Sequence, residues 1–109
     1  MPARTGAAYL TGLREQAAEV YIDGERVSDV TRHPALKNGA HTLASLYDMQ
    51  HAPGSRDEMT YLSPSTGEPV GLSFIMPRSI EDLERRRTMM RHWARTGCGM
   101  LGRAPDFMN

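Results

Sequence analysis

The densest set of chemically capable side chains lies in Gly102-Arg103-Ala104-Pro105-Asp106-Phe107-Met108-Asn109. An arginine, a proline that fixes φ, a carboxylate and an aromatic ring fall within five positions. A guanidinium binds a carboxylate or a phenolate through two parallel hydrogen bonds, and Phe107 offers a ring for packing. Residues 103–107 therefore suit a compact recognition loop. A helix exit in which Arg103 pairs with Asp106 is the plainer alternative, and residue types alone favour it over the recognition loop.

Other combinations lack the context their chemistry needs. Gly97-Cys98-Gly99-Met100-Leu101-Gly102 fits G-x-G-x-x-G, but a dinucleotide site requires a strand before it, a helix after it and an acidic residue about 20 positions on. This run follows a helical pattern and only residues 103–109 remain, so small residues packing closely near a helix end account for it. Cys98 has no second cysteine, and a nucleophile or metal ligand needs an activating group or further ligands, so a packed thiol is expected. His33, His41, His51 and His92 have no metal-binding spacing, so no metal is expected. His33, before Pro34, suits a helix start, and His92 a polar helix face. In Arg85-Arg86-Arg87, Glu81 precedes Arg85 by four, Asp82 precedes Arg86 by four and Glu84 precedes Arg87 by three. Those are spacings of helical ion pairs, and without interleaved aromatics they do not build a nucleic-acid platform.

The elements that must position these residues follow from periodicity. Thr5 suits the N-cap of a first helix with Leu10, Leu13 and Ala17 on one stripe. Val20-Tyr21-Ile22 and Glu25-Arg26-Val27 flank Asp23-Gly24, a pair that tolerates the positive φ of a tight hairpin. A second helix is predicted over residues 34–50, with Pro34 at its first position and Leu36, Ala40, Leu43 and Tyr47 on its apolar face. Polar residues 51–58 lead to a second hairpin of Met59-Thr60-Tyr61-Leu62 and the alternating Val70, Leu72, Phe74 and Met76. Ser79 and Asp82 form a capping box for a third long helix, whose inward stripe is predicted as Ile80, Leu83, Met90, Trp93 and Ala94.

Composition bounds the whole. With 109 residues, of which Leu, Ile, Val and Phe supply 18, the chain has material for one small domain with a thin core that leans on something else. Thirteen basic and thirteen acidic residues cancel, which disfavours nucleic acid and anionic membranes as partners. One cysteine and a start without an apolar signal fit a reducing cytoplasm, and no apolar run approaches a membrane span. The fold class expected is α+β, mainly α-helical, with two short β-hairpins.

The octapeptide at residues 102–109 resembles a signature of the 4-hydroxyphenylacetate 3-monooxygenase oxygenase family, the reduced-flavin-dependent aromatic hydroxylases. Thr5-Gly6 with Tyr9-Leu10 is similar to the family's opening, and Tyr21-Ile22-Asp23-Gly24-Glu25-Arg26-Val27-Ser28-Asp29-Val30-Thr31-Arg32-His33-Pro34 to its early hairpin and helix. Leu46-Tyr47-Asp48, Ser63-Pro64 with Thr66-Gly67-Glu68-Pro69, and Asp82-Leu83 with Arg85-Arg86 extend the resemblance over essentially the whole chain.

This resemblance implies an acyl-CoA-dehydrogenase-like enzyme in which residues 1–109 are an incomplete N-terminal helical domain, the middle β-barrel and C-terminal helical bundle being absent. It implies a two-component monooxygenase: a separate NAD(P)H-dependent flavin reductase supplies reduced FAD, O2 is co-substrate, and a phenol such as 4-hydroxyphenylacetate is hydroxylated beside its hydroxyl to a catechol. It assigns Arg103, Ala104, Pro105, Asp106 and Phe107 to the substrate pocket, with Arg103 as the catalytic group at the phenolic oxygen. Phe107 stands where many such hydroxylases carry a tyrosine, so that hydroxyl donor is absent. Flavin contacts are expected beyond Asn109, the chain alone is expected to be inactive and to bind no flavin tightly, and the full-length protein is expected to be a homo-oligomer. The related flavin and iron–sulfur dehydratases of 4-hydroxybutyryl-CoA need several cysteine ligands, and Cys98 alone does not supply them. The alternative expectation is a stand-alone binding or assembly module, or a degenerate remnant, derived from this domain.

Overall fold

The computed structural model describes residues 2–100, which form two compact units, residues 4–48 and residues 2–3 with 49–100.

In the first unit, α1 (Gly6–Gln16) starts where the Thr5 hydroxyl accepts a hydrogen bond from Ala8 N at 3.1 Å. The expected cap is therefore in place. Ala17, expected on the apolar stripe, instead ends the helix in the left-handed conformation, with φ 47°. The hairpin of β1 (Val20–Ile22) and β2 (Glu25–Val27) pairs Val20 with Val27 and Ile22 with Glu25. Asp23 at φ 51° and Gly24 at φ 80° supply the two positive angles that a two-residue loop requires.

Helix α2 runs Lys37–Met49, three residues short of the expected start. His33 explains the difference. Its ring Nδ1 accepts from Ala35 N, and its carbonyl accepts from Leu36 N and Lys37 N, so residues 33–36 form a turn ahead of the helix. Ala40, Ala44 and Leu46 are the buried residues of α2. Its end meets the start of α1: Asp48 Oδ1 accepts from Gly6 N at 2.7 Å, and the Tyr9 and Tyr47 rings stack 4.9 Å apart.

The second unit contains a single helical turn, α3 (Arg56–Met59), where the sequence suggests only polar loop. Its last residue, Met59, thus belongs to a helix and not to the strand that the sequence pattern gives it; β3 is Thr60–Leu62, paired antiparallel with β4 (Pro69–Gly71). The alternation through Val70, Leu72, Phe74 and Met76 does not continue as strand. Leu72–Phe74 is a 3-10 turn that buries Leu72 and Ser73 and leaves Phe74 and Met76 exposed. Gly71 lies close to Gln50: a Cβ there would lie 2.9 Å from Gln50 Nε2.

Helix α4 (Ile80–Gly97) is capped by Ser79, whose hydroxyl accepts from Asp82 N, while the Asp82 carboxylate accepts from Arg78 N. The expected inward stripe is only partly correct. Met89 and Trp93 are the buried residues of α4, whereas Ile80 and Leu83 are exposed. At about 100° per residue, Met89 and Trp93 share one face, and Ile80, Leu83, Met90 and Ala94 lie along another. Met59, Leu72 and Met89 form the fully buried part of this unit's core.

Candidate functional site

Arg103, Ala104, Pro105, Asp106 and Phe107 lie outside the described residues. The structure shows how the helix leading toward them is held and how it ends. Arg85 donates to the Thr60 carbonyl at 3.3 Å, and His92 Nε2 contacts the Glu58 carboxylate, so α4 is tied to β3 and to α3. Thr96 Oγ1 donates to the His92 carbonyl and approaches Met49 Sδ at 3.5 Å. Of the three ion pairs expected along α4, Glu84–Arg87 is present at 3.9 Å. Asp82 is committed to the cap and Arg85 to Thr60, so other partners displace the remaining two. Arg86 Nε is buried without a hydrogen-bond partner.

The glycine-rich run is a helix terminus. Cys98 takes φ 50° and Gly99 φ 76°, and both amides bond to the Ala94 carbonyl. This left-handed turn satisfies a terminal carbonyl and redirects the chain. The close packing expected of these small residues is not found at Gly99, where a Cβ would meet nothing within 4 Å; its positive φ is what favours glycine. Cys98 is exposed, not packed as expected.

The first unit carries a polar network that sequence reading missed. Asp29 Oδ1 accepts from the Thr31 hydroxyl at 2.6 Å and from Thr31 N at 2.8 Å, and Arg14 Nε reaches Thr31 Oγ1 at 3.0 Å. Arg14 and Arg32 flank the other carboxylate oxygen at 3.8 and 3.7 Å. The Thr31 hydroxyl, then its amide, then the two guanidiniums hold the Asp29 carboxyl below the ordinary carboxylate range, outweighing desolvation. The Asp-x-Thr spacing is the only sequence signal for it, that of a local side-chain turn. Burial, and then neighbouring Tyr47, push the Tyr9 phenol up.

Three grooves on the described residues differ in how they would receive a flavin. One of about 270 Å³ is lined by Asp57, Glu58, Glu81, Glu84, Arg85 and Thr88; four carboxylates there oppose an anionic pyrophosphate. A second of about 380 Å³ between Glu25 and His33 is edged by Glu25, Arg26, Asp29 and Arg32, with Val27 as its apolar residue, and offers no flat apolar slot. A third of about 170 Å³ beside Leu13, Val20 and Val27 is below the usual size of a ligand pocket. These grooves do not fit FAD. Among the described residues no group of three His, Cys, Asp or Glu could hold a metal ion, and no helix is long and apolar enough to cross a membrane.

By architecture the described residues are helix-rich α+β with two small antiparallel sheets. The family described as 4-hydroxyphenylacetate 3-hydroxylase N terminal matches residues 5–109, and the chain belongs to that family. It is 47% identical over 109 residues to a 4-hydroxyphenylacetate 3-monooxygenase oxygenase component from Geobacillus sp. (strain PA-9), covering 100% of this chain and 22% of that protein. HpaB, the oxygenase component of 4-hydroxyphenylacetate 3-monooxygenase solved with FAD and 4-hydroxyphenylacetate, superposes with a TM-score of 0.90 at 40% identity, over 97% of this chain and 22% of that one. An oxygen-tolerant archaeal 4-hydroxybutyryl-CoA dehydratase from N. maritimus superposes with a TM-score of 0.73 at 27% identity, over 84% of this chain and 18% of that one. The chain thus spans about a fifth of the length of the relatives it matches.

Proposed function

We propose that residues 1–109 are the N-terminal, incomplete domain of an acyl-CoA-dehydrogenase-like oxygenase component, which with a middle β-barrel and a C-terminal helical bundle hydroxylates a phenol beside its hydroxyl to a catechol. The observation that carries this is the match over nearly the whole chain to HpaB, whose structure holds FAD and 4-hydroxyphenylacetate. The cofactor of the assembled enzyme is FAD, reduced by a separate NAD(P)H-dependent flavin reductase, with O2 as co-substrate. In this reading the flavin contacts lie beyond Asn109.

In this reading Arg103 holds the phenolic oxygen. A fixed cation there favours the phenolate, which raises electron density at the carbon that is hydroxylated. The segment Arg103-Ala104-Pro105-Asp106-Phe107 lines the substrate pocket in this reading, and Phe107 offers a ring for packing but no hydroxyl donor.

The test is a hybrid in which residues 1–109 replace the matching segment of the Geobacillus oxygenase component. Supplied with reduced FAD, O2 and 4-hydroxyphenylacetate, it should form the catechol, while the 109-residue chain alone should form none. Arg103→Ala in the hybrid should lower turnover by about 10²–10³, the scale of losing one charge-stabilising donor, with flavin affinity unchanged. Equal loss of turnover and flavin affinity would refute the role of Arg103. Turnover by the 109-residue chain alone would refute the assignment of the domain.

A further inference from the structure

Helix α4 is gripped on one side by a single short stretch of chain. Arg85 donates to the Thr60 carbonyl and His92 Nε2 contacts the Glu58 carboxylate, so the two acceptors lie two positions apart where α3 meets β3. Arg85 and His92 are seven positions apart, two helical turns, and therefore stand on one stripe about 10 Å from each other. The gripping stretch is itself fixed: Met59, between the two acceptors, is fully buried, and the Thr60 hydroxyl donates to the Arg56 carbonyl at 2.8 Å. With the Glu58 carboxylate ionised, the bond requires the His92 proton on Nε2.

These two contacts do what the core cannot. Burial of Met89 and Trp93 selects a face of α4 but is non-directional, and so tolerates small rotations about the helix axis. A hydrogen bond weakens steeply with angle, and two of them along one stripe fix both roll and tilt. Toward the helix end the Thr96 hydroxyl approaches a thioether sulfur, Met49 Sδ at 3.5 Å, which is a weak acceptor. The left-handed turn at Cys98 and Gly99 hangs from the Ala94 carbonyl, so the direction in which the chain leaves follows the roll of the last turns of α4.

We propose that Glu58 and His92 are a positioning pair for the reaction: through the roll of α4 they set where Arg103, eleven residues after His92, meets the phenolic oxygen. The proposal rests on the role given to Arg103 under Proposed function. The pair is partly open to water, with the His92 side chain 24% and the Glu58 side chain 52% exposed, and open pairs of this kind add little stability. Its loss should therefore appear in turnover and not in melting temperature.

The hybrid tests this with 4-hydroxyphenylacetate. His92→Leu should lower kcat by about 10–10²-fold, the scale of a small misplacement of a reacting group, with flavin affinity unchanged and melting temperature within about 3 °C of the parent. His92→Gln, which can place an N–H near the position of Nε2, should keep kcat within about threefold of the parent. Glu58→Ala breaks the same contact from its exposed side, keeps the test intact if His92→Leu does not fold, and should lower kcat to the same extent. Added to Arg103→Ala, either His92→Leu or Glu58→Ala should change kcat by less than about twofold, since the residue they position is gone. Full independent losses in those double variants would overturn the proposal, because a merely structural role would be felt with or without Arg103. So would an unchanged kcat in His92→Leu or Glu58→Ala, or a His92→Gln variant as impaired as His92→Leu. Parent turnover in Arg103→Ala would instead refute the reading on which the proposal rests, and the proposal with it.

Discussion

Alanine substitution at two glycines of α1 should move stability in opposite directions. Gly6 is the first residue of the helix and is buried; a Cβ there would lie 2.5 Å from the Ala44 carbonyl oxygen, 2.6 Å from Asp48 Oδ2 and 2.9 Å from Asp48 Cγ. To reach an ordinary contact the backbones of α1 and α2 must separate by about 1 Å. Overpacking of this kind costs about 1–3 kcal/mol. The same movement stretches the Gly6 N to Asp48 bond, a hydrogen bond to a charged acceptor worth about 1.5–3 kcal/mol when fully formed. Partial loss of that bond gives a total of about 2–4 kcal/mol for Gly6→Ala. Gly12 lies inside the same helix with nothing within 4 Å of its Cβ position, so Gly12→Ala should stabilise by about 0.5–1 kcal/mol through helix propensity alone. Urea denaturation of the 109-residue chain, followed by circular dichroism at helix wavelengths, compares the two directly. Asp48→Ala supplies the internal control. It removes two of the three close atoms but leaves the Ala44 carbonyl, so Gly6→Ala should still destabilise in that background. A Gly6→Ala chain as stable as Gly12→Ala would refute the contact between the start of α1 and the end of α2.

Asp29 sets an acid limb to stability. Because its folded pKa lies below the ordinary value of 3.8, its contribution is present above that pH and is lost as pH falls through the lower folded value. Unfolding midpoints at pH 5 and pH 3 should therefore differ less in Asp29→Asn than in the parent, and equal differences would refute the network. Met89→Ala, at a site 1% exposed, should cost about 2–5 kcal/mol, whereas Leu83→Ala in the isolated chain should stay within about 0.5 kcal/mol. Similar losses from both, measured by urea titration, would mean that the inward face of α4 is wrongly assigned. In the hybrid, Phe107→Tyr restores a hydroxyl donor and should shift the ranking of kcat/KM among para-substituted phenols; an unchanged ranking would reduce position 107 to packing.

Much of the local architecture is legible in the chain because its causes span only a few residues. Thr5 and Ser79 cap helices through an amide three positions on, and Asp23-Gly24 turns a hairpin because both residues reach positive φ. The family resemblance is legible for a similar reason, since its motifs are contiguous stretches of sequence. The start of α2 differs from expectation because Pro34 suits a first helical position, while the ring and carbonyl of His33 hold a turn there. The polar network around Asp29 escapes the sequence because Arg14 joins it from 15 residues away.

Other features are decided only by tertiary packing. Helix α4 carries two apolar faces, and helical periodicity gives both equal standing; the core selects Met89 and Trp93 and leaves Ile80 and Leu83 outside. The alternation at Val70, Leu72, Phe74 and Met76 has the period of a strand, yet strand requires a neighbour to accept its hydrogen bonds. The pairing with β3 ends at Gly71 opposite Thr60, so the chain turns into a 3-10 segment that buries Leu72. Sequence determines what each segment does with its own hydrogen bonds within a few residues. Which apolar face is covered, and by what, depends on the volume that neighbouring elements leave free, and that exists only once the chain has folded.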